Sequence, residues 1–175
     1  MTPRHRFPAF LAGSAAALLL ALAGCSYQLE SPRLPGDAST LALGTFNNRT
    51  FTGELDIRLQ HRLRDLLLRN PGFELTDVSR SDLVLDVEIT GLDIARARNL
   101  ASTNLSSESY TMTGLVSLYD RRARRYEFNG RAVVGSFNLD FDAPTTETPA
   151  IRDQGLDGAV QDFARNVEAL LFYSF

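Results

Sequence analysis

The sequence predicts an α+β protein, a two-layer sandwich in which two helices pack on one face of a mostly antiparallel four-stranded sheet, in the order β-α-β-β-β-α. Three observations predict it. Residues 54–70 and 156–171 carry apolar side chains at intervals of three and four, the spacing of a single helix face. Residues 83–90 alternate between apolar and polar types, which is a strand with one buried and one wet face. Residues 110–119 and 126–141 are rich in β-branched and aromatic side chains and are separated by a short charged segment, which reads as a long hairpin.

The chain opens with Arg4, His5 and Arg6, runs through an apolar stretch from Phe10 to Leu22, and closes on Ala23 and Gly24 before Cys25. That is the three-part layout of a secretory signal. The apolar run is broken by Gly13 and Ser14 and falls short of the roughly 20 residues that span a bilayer as a helix. Leu22-Ala23-Gly24-Cys25 resembles the lipobox of bacterial lipoproteins, so residues 1–24 are expected to be removed and Cys25 to carry lipid. Cys25 is the only cysteine of the chain. A disulfide is therefore not available to the domain, whose stability must come from burial. Residues 25–39 contain Pro32, Pro35 and Gly36 with little periodicity and read as a tether. Residues 40–175 read as one domain.

Within that domain Leu41-Ala42-Leu43 begins a strand that ends in the polar turn Asn47-Asn48-Arg49-Thr50. The first helix places Leu55, Leu59, Leu63, Leu66 and Leu67 on one face. Thr50 or Thr52 is expected to cap it, and Asn70-Pro71-Gly72 to stop it. Leu83, Leu85, Val87 and Ile89 form the buried face of the next strand, but beyond Gly91 the apolar residues move to Leu92 and Ile94. One extra residue at the glycine produces such a change of parity, so a bulge is expected there. Residues 99–109 read as a loop, and Asp120 to Arg125 as the tip of the hairpin. After a Pro/Thr/Glu linker over residues 142–149, Leu156, Ala159, Val160, Phe163, Val167, Leu170 and Leu171 return to helical spacing. With two helices on one face, the other sheet face stays open to a partner.

Composition narrows the function. Removal of Arg4 and Arg6 takes the 18 basic residues to 16 against 21 acidic ones, about −5 in formal charge. Such a chain, without a long basic run, is a poor general ligand for nucleic acid. Beyond the signal the single histidine is His61, with no cysteine or second histidine to pair with it for catalysis. Asp140 and Asp142 at a strand end offer too few oxygens for a metal site. The expectation is a protein that is not an enzyme and takes no cofactor or metal. The densest charge feature is the tip group Arg121, Arg122, Arg124 and Arg125; a smaller pair, Arg96 and Arg98, lies at the other end of the sheet. Arginine is a fork-shaped donor suited to phosphate, so both groups are candidate anion sites.

Gly24-Cys25-Ser26-Tyr27, the segment Leu41-Ala42-Leu43-Gly44-Thr45-Phe46-Asn47-Asn48-Arg49-Thr50 and Ser81-Asp82-Leu83-Val84-Leu85, with the order of elements, make the chain resemble the lipopolysaccharide-assembly lipoproteins, LptE. The resemblance implies an outer-membrane lipoprotein, lipid-anchored and facing the periplasm or held within a barrel lumen, that acts as plug and assembly partner of an LptD-like barrel protein. It also implies binding of lipopolysaccharide. Arg98-Asn99 is the nearest match to the family's lipopolysaccharide-contacting arginine, and Ser26 is similar to lipoproteins sorted to the outer membrane. Similar strand-to-helix segments occur in other envelope proteins, so an accessory or adaptor lipoprotein of another envelope complex is the alternative.

Overall fold

In the computed structural model, which describes residues 33–98, 105–142 and 148–173, five strands form one sheet. The elements are β1 (Thr40–Asn48), α1 (Leu55–Leu67), β2 (Glu74–Leu75), β3 (Leu83–Arg98), β4 (Leu105–Asp120), β5 (Arg125–Asp142) and α2 (Pro149–Tyr173). The sheet order is β2-β1-β3-β4-β5. The α+β class and both helices match the sequence expectation, while the sheet corrects it in two respects. It has five strands where four were expected, and it is mixed: β1 runs parallel to both β2 and β3, and only β3-β4 and β4-β5 are antiparallel. The parallel pairs follow from α1, which returns the chain to the end of the sheet where β1 began. With two residues, β2 is too short to show any alternation.

β4 also starts five residues before the expected hairpin arm. Ser106, Ser107 and Ser109, read as loop, pair with Arg98, Ala97 and Ala95 of β3. Ladder hydrogen bonds belong to the backbone, so a long partner strand carries residues of weak strand preference along with it. Residues 99–104 of the expected loop lie outside the described residues.

The core lies between the helices and one sheet face. α1 buries Leu55, Leu59, Leu63 and Leu67, and α2 buries Leu156, Ala159, Val160, Phe163, Val167 and Leu171. They join Leu83, Leu85, Val87 and Ile89 of β3 and Tyr110, Met112, Val116 and Leu118 of β4 in one cluster. Each buried leucine contributes about 1.5 to 3 kcal/mol, and this packing is what holds α1, since a 13-residue helix is marginal in isolation. Its start differs from expectation. Glu54 occupies the N-cap with φ of 65°, without a side-chain cap bond, while Thr50 and Thr52 bond within the preceding turn. α2 lies close to the sheet because Gly135 and Gly155 have no side chains. A Cβ on Gly135 would fall 2.3 Å from the Phe163 amide nitrogen, and one on Gly155 2.2 Å from the Tyr110 ring.

The domain starts before Thr40. Leu34, Pro35 and Ala38, in the segment read as tether, are buried.

Candidate functional site

The bulge expected at Gly91 is present: the β3-β4 register shifts between Ile89 and Gly91. Its consequence lies further along the strand. Before the bulge, odd-numbered residues of β3 face the helices; after it, even-numbered ones do, so Leu92 lies opposite Met112, Ile94 opposite Tyr110 and Arg96 opposite Glu108. The bulge thus turns Arg96 to the helix side, directly across from a carboxylate.

Glu108 is only 1 % exposed, and both of its oxygens are used. Oε1 accepts from Arg96 Nε at 2.6 Å and from Arg96 Nη2, and Oε2 accepts from the Tyr110 hydroxyl at 2.7 Å. Burial alone would push the Glu108 carboxyl up. The hydrogen bonds from Tyr110 and Arg96 and the charges of Arg96 and Arg152 outweigh it and hold the group below its ordinary range. Arg152, on the first turn of α2, is exposed, and the Arg96 side chain is 41 % exposed. Two guanidinium groups therefore neighbour one buried carboxylate. Arg98, the last residue of β3, pairs through its backbone with Ser106; its side chain lies outside the described residues, as does Cys25.

The hairpin tip lies at the far end of the same ladder, where Asp120 pairs with Leu83. At about 3.3 Å per residue, Leu83 and Arg96 are roughly 40 Å apart along the strand. Here the arginines serve the protein itself. Arg121 donates through Nη1 to the carbonyls of Val78 and Ser81. Arg122 donates through Nη2 to the Gly36 carbonyl at 2.8 Å and forms ion pairs with Asp82 at 3.6 Å and Asp120 at 3.8 Å. Arg125 is bridged to Glu127 at 3.1 Å. Arg124, at φ of 51°, has no partner among the described residues.

Asp82 organises this end, and sequence reasoning missed it. Its Oδ2 accepts from the amides of Ser39 at 3.0 Å and Thr40 at 3.3 Å, and its own amide donates to Thr40 Oγ1 at 2.8 Å. The Ser39 amide is the main cause that holds its carboxyl below the ordinary range; burial opposes it, and Thr40 and Arg122 assist. Asp82 thereby joins the segment that leads into β1, the turn before β3 and the hairpin tip. The one available signal was an aspartate just before a strand, a common position with many uses.

On the open sheet face a groove of about 370 Å³ is lined by Thr45, Asn47, Asp86, Glu88, Leu115 and Ser117, among others. It is acidic, and Asp86 is already bonded to the Thr45 amide at 2.7 Å. Among the described residues no group of three or more histidine, cysteine or carboxylate side chains is placed to hold a metal. No described helix is long and apolar enough to cross a membrane.

No family model matches the chain, and no curated protein matches it with significance. Among solved structures it is similar to rare lipoprotein B of Shewanella oneidensis, with a TM-score of 0.47 and 13 % identity over 75 % of this chain and 93 % of that one. A minor lipoprotein of Acinetobacter baumannii aligns with a TM-score of 0.43 and 13 % identity, covering 76 % of this chain and 90 % of that one. An uncharacterized lipoprotein B of Nitrosomonas europaea aligns with a TM-score of 0.42 and 10 % identity, covering 84 % and 92 %.

Proposed function

We propose that this chain is a bacterial envelope lipoprotein, anchored in the outer membrane through lipid on Cys25. Its domain acts by binding rather than catalysis, as plug and assembly partner of an LptD-like barrel that handles lipopolysaccharide. The lipobox-like Leu22-Ala23-Gly24-Cys25 supports the anchor, and the order of elements supports the family reading. The observation that carries the choice of ligand site is the bulge-directed meeting of Arg96, Glu108 and Arg152. Two arginines around one carboxylate leave a local positive charge on an otherwise acidic protein, and phosphate is the anion that arginine forks match best. At the hairpin tip Arg121 and Arg122 hold carbonyls of segments distant in the chain and Arg125 holds Glu127, while Arg96 is held by Glu108 alongside the exposed Arg152. The Arg96 end is therefore the better candidate for the phosphate-rich part of lipopolysaccharide.

Affinity purification of the full-length lipidated chain from membranes tests the partner: a large barrel protein that survives detergent is the expected companion, and its absence would sink that reading. For the ligand, lipopolysaccharide binding is compared between an Arg96→Ala/Arg152→Ala variant and a variant with alanine at Arg121, Arg122, Arg124 and Arg125. Loss is expected in the first. Loss confined to the second moves the site to the hairpin tip, and unchanged binding in two folded variants removes both groups.

A further inference from the structure

The segment Asn48-Arg49-Thr50-Phe51-Thr52, part of the motif singled out above, is built as a fixed turn. Asn48 Oδ1 accepts from the Thr50 amide at 2.9 Å and the Thr50 hydroxyl at 2.8 Å, and Asn48 Nδ2 donates to the Thr52 carbonyl at 2.7 Å. The Thr52 amide donates back to Thr50 Oγ1 at 3.2 Å, and the Arg49 amide bonds the Ile89 carbonyl at 2.9 Å. On this pinned backbone Phe51 is fully exposed, covered by no described side chain, and Ile57, two residues into α1, is half exposed. A large aromatic presented to water on a pinned backbone gains nothing for the fold. Its backbone needs no further ordering on docking, which lowers the cost of using it as an interface anchor.

We propose that Phe51 is a docking anchor that enters an apolar pocket with a basic rim on a protein partner. Charge selects this occupant. Aromatic groups that seat in lipid surfaces are ringed by Lys or Arg, whereas Phe51 is followed by the exposed Glu54 and by Asp56, and the nearby cations in sequence are paired, Arg49 with Glu88 at 2.9 Å and Arg58 with Asp153 and Asp157. Such a surface is repelled by anionic lipid and complements basic residues around a pocket. The proposal rests on the reading of the protein as a binding module and names one of its contacts.

The test uses the full chain in its native membrane, with a benzophenone amino acid at position 51 or, as a control, at position 126 in β5. A protein adduct specific to position 51 is expected. The adduct partner is then purified and titrated with wild type, Phe51→Ala and Phe51→Leu. Phe51→Ala is expected to weaken binding about ten- to a hundredfold with an unchanged melting temperature, and Phe51→Leu to keep most of it. No adduct at 51, or equal affinity of wild type and Phe51→Ala, overturns the proposal. So does Phe51-dependent binding to phosphatidylglycerol/phosphatidylethanolamine vesicles, or Phe51-dependent self-association in sedimentation. An adduct with a partner that is not a barrel rejects the barrel reading and keeps the anchor; a barrel bound equally by Phe51→Ala does the reverse.

Discussion

The two ends of the β3-β4 ladder both set arginines against carboxylates, and they do so by different means. At the Arg96 end the partners are direct neighbours across two strands, and the carboxylate is almost wholly buried. At the tip, Asp82 is a partly exposed carboxylate that collects donors from segments 42 and 40 residues away in sequence, Thr40 and Arg122. In the first, strand register sets Arg96 against Glu108 and α2 adds Arg152; the second uses its arginines to close the fold. A cluster of like charges in sequence is thus a poor guide to where a protein has positive charge to offer. In the denser group Arg121, Arg122 and Arg125 all bond within the chain.

The largest effect is expected at the buried pair. Arg96→Ala removes the hydrogen-bonded cation of Glu108, leaving it Tyr110 and the charge of Arg152, and should cost about 2 to 3 kcal/mol, below the 3 to 5 of a fully buried pair because Arg96 is 41 % exposed. Glu108→Gln removes the charge and keeps the shape, and should cost about 1 kcal/mol or less. Denaturant titration of both variants checks the order, and a costlier Glu108→Gln would reverse the view of which group is stranded.

Next comes the junction. Asp82→Asn should cost about 1 kcal/mol and speed hydrogen exchange at the Ser39 and Thr40 amides, while amides around Glu108 keep their protection. Acid sharpens the contrast. Both carboxyls are held below their ordinary range, so each contributes stability that is present above the unfolded carboxylate pKa of about 4 and is lost as pH falls through the folded value. Stability measured from pH 7 downward should therefore fall below about pH 4, and less steeply in Glu108→Gln and in Asp82→Asn than in wild type. Equal slopes in all three would mean that neither carboxyl is linked to folding. The smallest effect is expected at Arg124: Arg124→Ala should change stability by less than about 0.5 kcal/mol, against a clear loss for Arg122→Ala on the same tip.

Much of this molecule is legible in its sequence because the signals are local. The leucine spacing of α1, the alternation of β3 and the parity change at Gly91 depend only on which side chains must share a face, and the described structure carries all three. The tertiary structure alone decided the rest. β2 is too short for a pattern, and the direction of β1 depends on how α1 crosses over. Ser106 to Ser109 become strand because β3 continues beside them. The candidate site divides along the same line: arginine positions are sequence facts, yet whether a guanidinium faces solvent or a carboxylate depends on strand register and on groups far along the chain. Parity turned Arg96 onto Glu108, and a contact across 86 residues turned Arg122 onto Gly36. Local periodicity encodes burial; the use of charge is settled only when distant segments meet.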